Sequence, residues 1–343
     1  MDEGGYNAQH MAVILVFLLL LTTELSLRAY HQHRMRVALP TGLRAETREL
    51  TWNDVKDKYR IVCFGDSITF GEDLPYAQAY PAVLEDLLRQ RHPNLDVVVV
   101  NSGIRGHTSV QGLRRLERDV LWYQPHVVLT AFGVNDGNLG YWPLDPVRER
   151  HVCGDSSLQG RLFPLLRHSH LWLTLRGRTR RLLRRLGWRA RPVEIQRESE
   201  PKPRVSRRGF EIAQERLASR IRENGHAALF LMTTTPVTEA FHAERGSAQH
   251  QRQLAIYDAY NRVIRDVAAK HGAYLLDLCA IFANHSRTEL AWAIAEDGVH
   301  LTAAGERLVA LNVLQALEES GFPGSDPYYL CLRQPQPCHP QTG

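Results

Sequence analysis

The chain has 343 residues, of which 44% are hydrophobic and 23% charged, a composition typical of a globular protein with a substantial core. Its formal net charge of +5 is modest for this length, so we expect no nucleic-acid partner. The five cysteines form no C-x-x-C pair and no cysteine–histidine cluster at metal-ligand spacing, which argues against a zinc module. We therefore expect neither a metal nor another cofactor.

Residues 1–29 contain an apolar segment typical of targeting sequences. Met11–Leu21 is wholly apolar and Glu24 interrupts its continuation, so the run is shorter than the roughly 20 residues of a full membrane span. Acidic rather than basic residues precede it, and no A-x-A-like cleavage site follows. We favour an uncleaved membrane anchor, with a cleavable signal peptide and a buried core helix as alternatives.

Residues 30–58 are polar and predict a linker, and from Tyr59 short apolar runs alternate with helical stretches. The predicted strands are Arg60–Phe64, Asp96–Asn101, His126–Ala131, Ala227–Met232 and Ala273–Leu276. The predicted helices are Ala79–Gln90, Ser109–Trp122, Gln253–Lys270 and Ala303–Leu317, and in the second of them we expect Arg114, Arg115 and Arg118 to face solvent. This alternation predicts a parallel sheet with helices on both of its faces.

Residues 140–205 interrupt the alternation with an insertion. The apolar stretch Leu162–Leu175 is followed by eight arginines within Arg176–Arg191. The segment could cover a substrate cleft, lie on anionic lipid as a basic amphipathic helix, or form a solvated helix docked by its apolar face. Residues 198–207 then predict a polar connection back to the domain. The tail 321–343 is Pro-rich, and its Cys331 and Cys338 could form a disulfide in an oxidising compartment.

Two short motifs follow the first and second predicted strands. Ligands bind beyond the carboxyl ends of parallel strands, so Ser67 in Gly65-Asp66-Ser67-Ile68-Thr69 is delivered to the expected cleft. A helix N-cap explains this tripeptide better when it is taken alone. In the second motif Gly106 lets a backbone N–H approach a ligand closely, although a plain strand-to-helix turn also accounts for it.

Two further motifs complete the set. Asn135, in Phe132-Gly133-Val134-Asn135-Asp136, can point an amide N–H into the cleft as an oxyanion hole requires, or can close an Asx-turn. Asp297 and His300 are three residues apart, so the carboxylate can orient the imidazole and stabilise its protonated form. A surface turn or a metal-ligand pair are the alternatives, but no further ligand completes a metal site.

The four motifs together make the chain resemble the SGNH hydrolases, the GDSL-type esterase superfamily. They read Gly-Asp-Ser-Ile-Thr, the Gly106 turn, Gly-Val-Asn-Asp and Asp-Gly-Val-His-Leu. The resemblance covers about residues 59–320 apart from the 140–205 insertion. It implies an α/β fold with a three-layer α/β/α flavodoxin-like parallel sheet and a single catalytic domain.

The resemblance also implies roles for particular residues. Ser67 would be the nucleophile, His300 the general base and then acid, and Asp297 the residue that orients His300. The backbone N–H groups of Ser67 and Gly106 and the side-chain amide of Asn135 would form the oxyanion hole. His107 departs from many members, in which an Asp often follows the glycine.

The implied activity is hydrolysis of a carboxylic ester, with a short-chain or acetyl ester of a cell-envelope glycan, or a lipid ester, as the small-molecule, glycan or lipid substrate. An O-acyltransferase on the same fold is one alternative, and a membrane-tethered binding protein without turnover is another.

The run Gly106–Leu113 resembles membrane-anchored bacterial members, which hold the catalytic domain outside the cytoplasm. We expect the same location here, although three arginines after the apolar run would by the positive-inside rule favour the cytoplasm. Those arginines are Arg28, Arg34 and Arg36.

Overall fold

The computed structural model describes residues 19–23, 26, 42–140, 200–223, 227–242, 247–285 and 287–323. Residues 40–152 together with 196–343 form one compact unit. Of the other unit, residues 1–39 with 153–195, only residues 19–23 and 26 are described, and these are helical. Most of the predicted anchor, the Arg-rich part of the insertion and Cys331 with Cys338 lie outside the described residues.

Short apolar runs form the strands of this unit, because side chains such as Val, Ile and Phe fill both faces of a buried sheet. The described strands are β1 (Tyr59–Gly65), β2 (Val97–Gly103), β3 (Val127–Ala131), β4 (Leu139–Gly140), β5 (Lys202–Pro203), β6 (Ala228–Met232) and β7 (Tyr274–Leu276). Each of the five predicted strands is confirmed to within two residues at either end.

The helices follow the strands in alternation. They are α1 (Ala45–Glu49), α2 (Trp52–Val55), α3 (Ser67–Phe70), α4 (Tyr80–Arg91), α5 (Ser109–Asp119), α6 (Val134–Gly137), α7 (Arg207–Glu223), α8 (Ser247–His271), α9 (Leu278–Ala283), α10 (Arg287–Ala293) and α11 (Ala303–Glu319). Short 3-10 turns occur at Tyr76–Gln78, Leu121–Tyr123 and Glu239–His242. The four predicted helices are α4, α5, α8 and α11, whereas α7, a long helix, was not predicted.

The main sheet has the strand order β2-β1-β3-β6-β7, and all four neighbouring pairs are parallel. With the small antiparallel pair β4–β5 left aside, this is the 2-1-3-4-5 order of flavodoxin-like sheets, and the predicted fold class is confirmed. The chain reverses its direction of winding between β1 and β3. A ligand crevice is expected at the carboxyl ends of these two strands.

Alternate side chains of the strands point into two separate hydrophobic cores, one on each face of the sheet. The architecture is therefore three-layered. Val62 and Phe64 of β1 point to one core, which is completed by α5, α7 and α8. Ile61 and Cys63 point to the other core, which is completed by α4 and α11.

The domain extends beyond its predicted boundaries at both ends. Residues 42–58, assigned to a linker, form α1 and α2, and Thr47 and Val55 are fully buried. Arg44 also donates hydrogen bonds to the carbonyls of Phe70, Gly71 and Leu74. The linker assignment is therefore wrong for this stretch, because Arg44 packs against the turn after β1 and Thr47 and Val55 are buried, although most of its other polar side chains are exposed. At the other end, Phe322 is buried against Tyr59.

Among the described residues, no helix is both long and apolar enough to cross a membrane. The apolar run itself lies mostly outside those residues. The membrane anchor and the extracytoplasmic location stay predictions.

The expectation that Arg115 faces solvent is wrong. Arg114 is exposed, but Arg115 is only 4% exposed and donates to the carbonyls of Gly65 at 2.7 Å and Ser102 at 2.8 Å. It also pairs with the buried Asp119 at 3.2 Å, one helical turn away. Burial lowers the pKa of Arg115 to about 10, against the opposing effect of Asp119. Arg115 thus supplies donors to carbonyls at the ends of β1 and β2, a need that helical periodicity does not reveal.

Replacing Arg115 by Met should destabilise the domain by about 3–5 kcal/mol, because it removes one partner of a buried ion pair together with its hydrogen bonds to two carbonyls. Arg114→Met on the same helix, at an exposed position, is the matched control and should change the free energy of unfolding by no more than about 0.5 kcal/mol. Urea denaturation of both variants measures this. Equal losses for the two variants would contradict the assignment.

A buried carboxyl group joins α11 to α4. Glu306 is 1% exposed, and its Oε2 accepts a hydrogen bond from the backbone N–H of Tyr80, the first residue of α4, at 2.7 Å. Burial raises the pKa of Glu306 from its ordinary value of 4.5 to about 8, although the Tyr80 N–H and the charge of Arg44 oppose this. Burial also raises the pKa values of the Tyr80 hydroxyl and the Cys63 thiol, and the charge of Glu306 raises them further.

Glu306→Gln should become stabilising relative to wild type as pH rises. The native state keeps the Glu306 proton after the unfolded chain has lost it, so this group's contribution to stability falls between pH 4.5 and about 8. Gln keeps an oxygen for the Tyr80 N–H but cannot ionise. The difference in melting temperature should therefore grow from acidic to alkaline pH, and Glu319→Gln, at an exposed position of the same helix, is the control. A difference that is independent of pH would refute the linkage.

Candidate active site

Ser67 lies directly beyond β1, at the carboxyl end of the central strand. It is the first residue of α3, and the cap of this helix is Asp66, whose Oδ1 accepts from the backbone N–H of Ile68 at 3.0 Å. The alternative that Ser67 is itself the N-cap is therefore wrong. Because Asp66 takes the capping role, the hydroxyl of Ser67 is available for other contacts.

Ser67, His300 and Asp297 form a continuous hydrogen-bonded chain. His300 Nε2 lies 2.9 Å from Ser67 Oγ, and His300 Nδ1 contacts Asp297 Oδ2. The other carboxylate oxygen of Asp297 accepts from the backbone N–H groups of Val299 and His300, each at 3.0 Å. Partial burial raises the pKa of Asp297, but these backbone hydrogen bonds and His300 outweigh burial and lower it overall. The carboxylate is thus kept ionised beside the imidazole.

The loop that carries Asp297 and His300 is held from two sides. Gly298 has a φ of +77°, and a Cβ there would lie 2.5 Å from the backbone nitrogen of Phe241, so only glycine fits. Its carbonyl accepts from the backbone N–H of Thr238 at 2.8 Å. Val299 packs in a small apolar cluster with Val134, the residue before Asn135. This cluster joins the loop of His300 to the loop that follows β3.

Gly106 lies in the turn after β2 with a φ of +69°, in the left-handed region that favours glycine. No atom lies within 4 Å of the position that a Cβ would take, so the space in front of this residue is open. Conformation rather than crowding therefore requires glycine here, and the open space leaves the backbone accessible to a ligand.

Asn135 lies in α6, beyond β3, with both ends of its amide engaged. Its Nδ2 donates to Asp66 Oδ2 at 3.2 Å, and its Oδ1 accepts from Arg204 Nη1 at 3.3 Å. Burial raises the pKa of Asp66 to about 6, while the hydrogen bonds from Ile68 and Asn135 oppose this rise. Since the amide nitrogen has two hydrogens, one N–H remains for a ligand.

Asp136 ties the loop after β3 to the helix after β2. Its carboxylate oxygens each accept from the backbone N–H of Ser109 at 3.0 Å, and Oδ1 also accepts from the Ser109 hydroxyl. The carboxyl group is fully buried, and burial raises its pKa to about 7. The first turn of α5, just beyond Gly106, is thereby fixed relative to Asn135.

The structure thus brings Ser67, His300 and Asp297 into direct contact and joins Asn135 to the residue before Ser67. Gly106 is linked to Asn135 through Arg204, which also donates to the Gly106 carbonyl at 3.0 Å. Sequence reasoning missed Arg204, since it stands in a polar connection without any recognisable pattern. It also gave Asp66 no role of its own, although Asp66 belongs to the first motif.

A small cavity adjoins the turn that carries Ser67, on the side of β3 and β6. It is lined by the neighbours of Ser67 on both sides and by apolar and threonine side chains, including Asp66, Ile68, Val134, Met232 and Thr234. Within the part of the chain that the structure describes, no group of three or more His, Cys, Asp or Glu side chains could hold a metal ion. The expected independence from cofactors stays a prediction.

Two proteins that are named esterases are similar to this chain in sequence. The chain is 34% identical over 84 residues to an arylesterase of Vibrio mimicus, a match that covers 24% of this chain and 41% of that relative. It is 25% identical over 272 residues to an acetylxylan esterase of Geobacillus stearothermophilus, covering 77% of this chain and 94% of the relative. The chain thus spans less than half of the arylesterase but nearly all of the acetylxylan esterase.

Among solved structures, the lipase/acylhydrolase of Enterococcus faecalis aligns with a TM-score of 0.47 at 21% sequence identity, over 76% of this chain and 96% of that one. The sequence model of the GDSL-like lipase/acylhydrolase family matches residues 63–308, which include all four motifs. That match extends over more than half of the chain, and this protein belongs to the GDSL-like lipase/acylhydrolase family.

Proposed function

We propose that this protein is a serine esterase in which Ser67 is the nucleophile, His300 the general base and Asp297 the residue that orients the imidazole. One observation carries the proposal, the 2.9 Å contact between His300 Nε2 and Ser67 Oγ with Asp297 bonded to the other ring nitrogen. A nucleophile, a base within hydrogen-bond reach and a group that orients the base are what acyl transfer by serine requires.

The reaction proceeds in two steps. As Ser67 Oγ bonds to the ester carbonyl carbon, His300 Nε2 takes the hydroxyl proton and the carbonyl electrons move to oxygen. Collapse of this tetrahedral oxyanion expels the alcohol, which receives the proton from His300, and leaves an acyl-enzyme. Water then attacks the acyl group with the help of His300, releasing the acid and restoring Ser67.

The developing oxyanion is assigned to three donors, the backbone N–H groups of Ser67 and Gly106 and the free N–H of Asn135. The open space in front of Gly106 and the single amide hydrogen that Asp66 leaves available support this assignment. Donors fixed before the reaction stabilise charge without reorganising, which makes such a site effective.

The substrate proposed is an ester with a short acyl group, an acetyl ester of a glycan first of all. A small cavity lies beside the turn that carries Ser67, lined in part by Ile68, Met232 and Leu278. The relative that aligns over 77% of the chain is named an acetylxylan esterase. That name favours an acetyl ester over the ester of a long lipid chain.

Ser67→Ala should abolish hydrolysis of p-nitrophenyl acetate, lowering turnover by about 10⁴–10⁶-fold, the range found when a triad member is removed. Labelling by a fluorophosphonate should be lost in the same variant. His300→Ala should behave alike, while Ser320→Ala, at the end of α11, is the control that keeps both signals. Persistent labelling of Ser67→Ala would exclude Ser67 as the nucleophile.

A series of p-nitrophenyl acetate, butyrate and octanoate should give the highest kcat/KM for acetate, since the proposed substrate carries an acetyl group. Acetylated xylo-oligosaccharides should release free acetate at a rate that depends on Ser67. A maximum at octanoate would refute the short acyl group while leaving the esterase mechanism intact.

A further inference from the structure

Arg204 follows β5, at the point where the chain returns to the domain after the insertion. The pairing of β5 with β4 places this residue beside the loop that carries Asn135. Its backbone N–H donates to the carbonyl of Asn138 at 3.2 Å, and the next N–H, that of Val205, donates to the carbonyl of Asp136 at 3.0 Å. The main chain of Arg204 is therefore fixed to the same loop as Asn135.

Val205 anchors this segment in the core. Its side chain is fully buried, and its carbonyl accepts a hydrogen bond from the Tyr260 hydroxyl on α8. The side chain of Arg204 thus projects from a backbone held on three sides, by β4, by the loop after β3 and by α8. Such a base allows a long side chain to keep one orientation at a low cost in entropy.

The guanidinium of Arg204 joins two parts of the proposed oxyanion hole that are distant in sequence. Its Nη1 donates to the Gly106 carbonyl at 3.0 Å and to Asn135 Oδ1 at 3.3 Å. One group therefore fixes both the glycine turn after β2 and the amide beyond β3. The planar guanidinium presents several donors in a rigid arrangement, which a lysine ammonium does not reproduce.

The two groups that flank the Asn135 amide also determine which way it faces. Its oxygen meets the cationic Arg204, and its nitrogen meets the carboxyl group of Asp66. The reverse orientation would set the amide NH₂ against the guanidinium and its oxygen against the carboxylate. Arg204 and Asp66 together therefore hold the remaining N–H of Asn135 in a single direction.

On the basis of the proposed esterase function, we propose that Arg204 is a positioning residue for the oxyanion hole, acting on the transition state through Asn135 and Gly106. It holds donors whose interaction strengthens as the oxyanion forms. Its loss should therefore lower kcat and leave KM nearly unchanged, the signature of an interaction made in the transition state.

The test measures kcat and KM for p-nitrophenyl acetate in wild type, Arg204→Met, Arg204→Lys, Asn135→Ala and the double variant Arg204→Met/Asn135→Ala. Asn135→Ala should lower kcat by about 10²–10³-fold, the loss found for one oxyanion donor. Arg204→Met should lower it by a smaller factor, about 10-fold or more, because the donor is present but misoriented. Arg204→Lys should fall between wild type and Arg204→Met.

The double variant separates positioning from a merely structural effect. Residues that act through one another are non-additive, so Arg204→Met should cost much less in the Asn135→Ala background than in wild type. Arg208→Met, an exposed arginine paired with Glu211 on α7, is the control and should leave kcat unchanged. If Arg204→Met fails to fold, as judged by its melting curve, Arg204→Lys carries the same comparison.

An Arg204→Met enzyme that folds and keeps wild-type kcat would overturn the proposal, as would equal losses in the two backgrounds. Ser67→Ala is added to the same assay, so wild-type turnover that depends on Ser67 upholds the esterase function whatever the arginine variants do. A wild type without such turnover would reject the esterase function, and with it any catalytic role for Arg204.

Discussion

The geometry of the candidate site depends on where β1 ends relative to its two neighbouring strands. β1 lies between β2 and β3, and in the register of the sheet Gly65 is the partner of both Gly103 and Ala131. The three strands therefore end at the same level, and the loops that follow them start side by side. A Cβ on Gly65 would lie 2.1 Å from Thr69 Oγ1 and 2.6 Å from the Ala131 carbonyl. The turn that carries Ser67 thus folds tightly against the end of β3.

Buried polar groups turn this alignment of loops into a defined geometry. Asp66 bridges the turn after β1 to Asn135, and Asp136 bridges the loop after β3 to the start of α5. Burial raises the pKa values of these carboxyl groups to about 6 and about 7, which is the electrostatic cost of holding them in the interior. Backbone and side-chain donors offset that cost, and the resulting network leaves the loops little freedom.

Much of the fold and of the site could be predicted because they depend on local patterns. A strand buried on both faces must be apolar throughout, so β1, β2 and β3 stand out from the sequence. The site residues stand out because parallel strands bring their carboxyl ends to one edge. Asp297 and His300 add a contact across a single turn, which their spacing of three residues makes possible. The strands need only their period, whereas the roles expected of the site residues rested on the resemblance to the SGNH hydrolases, since each motif alone had a plainer explanation.

What escaped prediction depends on contacts between segments distant in sequence. Arg115 stands in a charged stretch that predicts a solvated helix face, and its hydrogen bonds to the carbonyls of Gly65 and Ser102 explain its burial. Residues 42–58 are polar, yet Arg44 and Thr47 satisfy backbone carbonyls of the turn after β1 and of β2. Helix propensity and hydrophobic period carry no information about such needs.

Arg115 and Arg204 both illustrate how contacts between distant segments shape the candidate site. Arg115 bonds the Gly65 carbonyl from within the core, two residues before Ser67, and Arg204 bonds the Gly106 carbonyl from the rim. Both are donors to backbone oxygens at or just beyond strand ends, and the Gly65 oxygen also accepts from the backbone N–H of Ile104. A parallel sheet leaves such oxygens at the edge where ligands bind. The positively charged side chains that stabilise this edge therefore also lie where the proposed reaction would develop negative charge. The same contacts would stabilise the fold and hold the site in its reactive geometry.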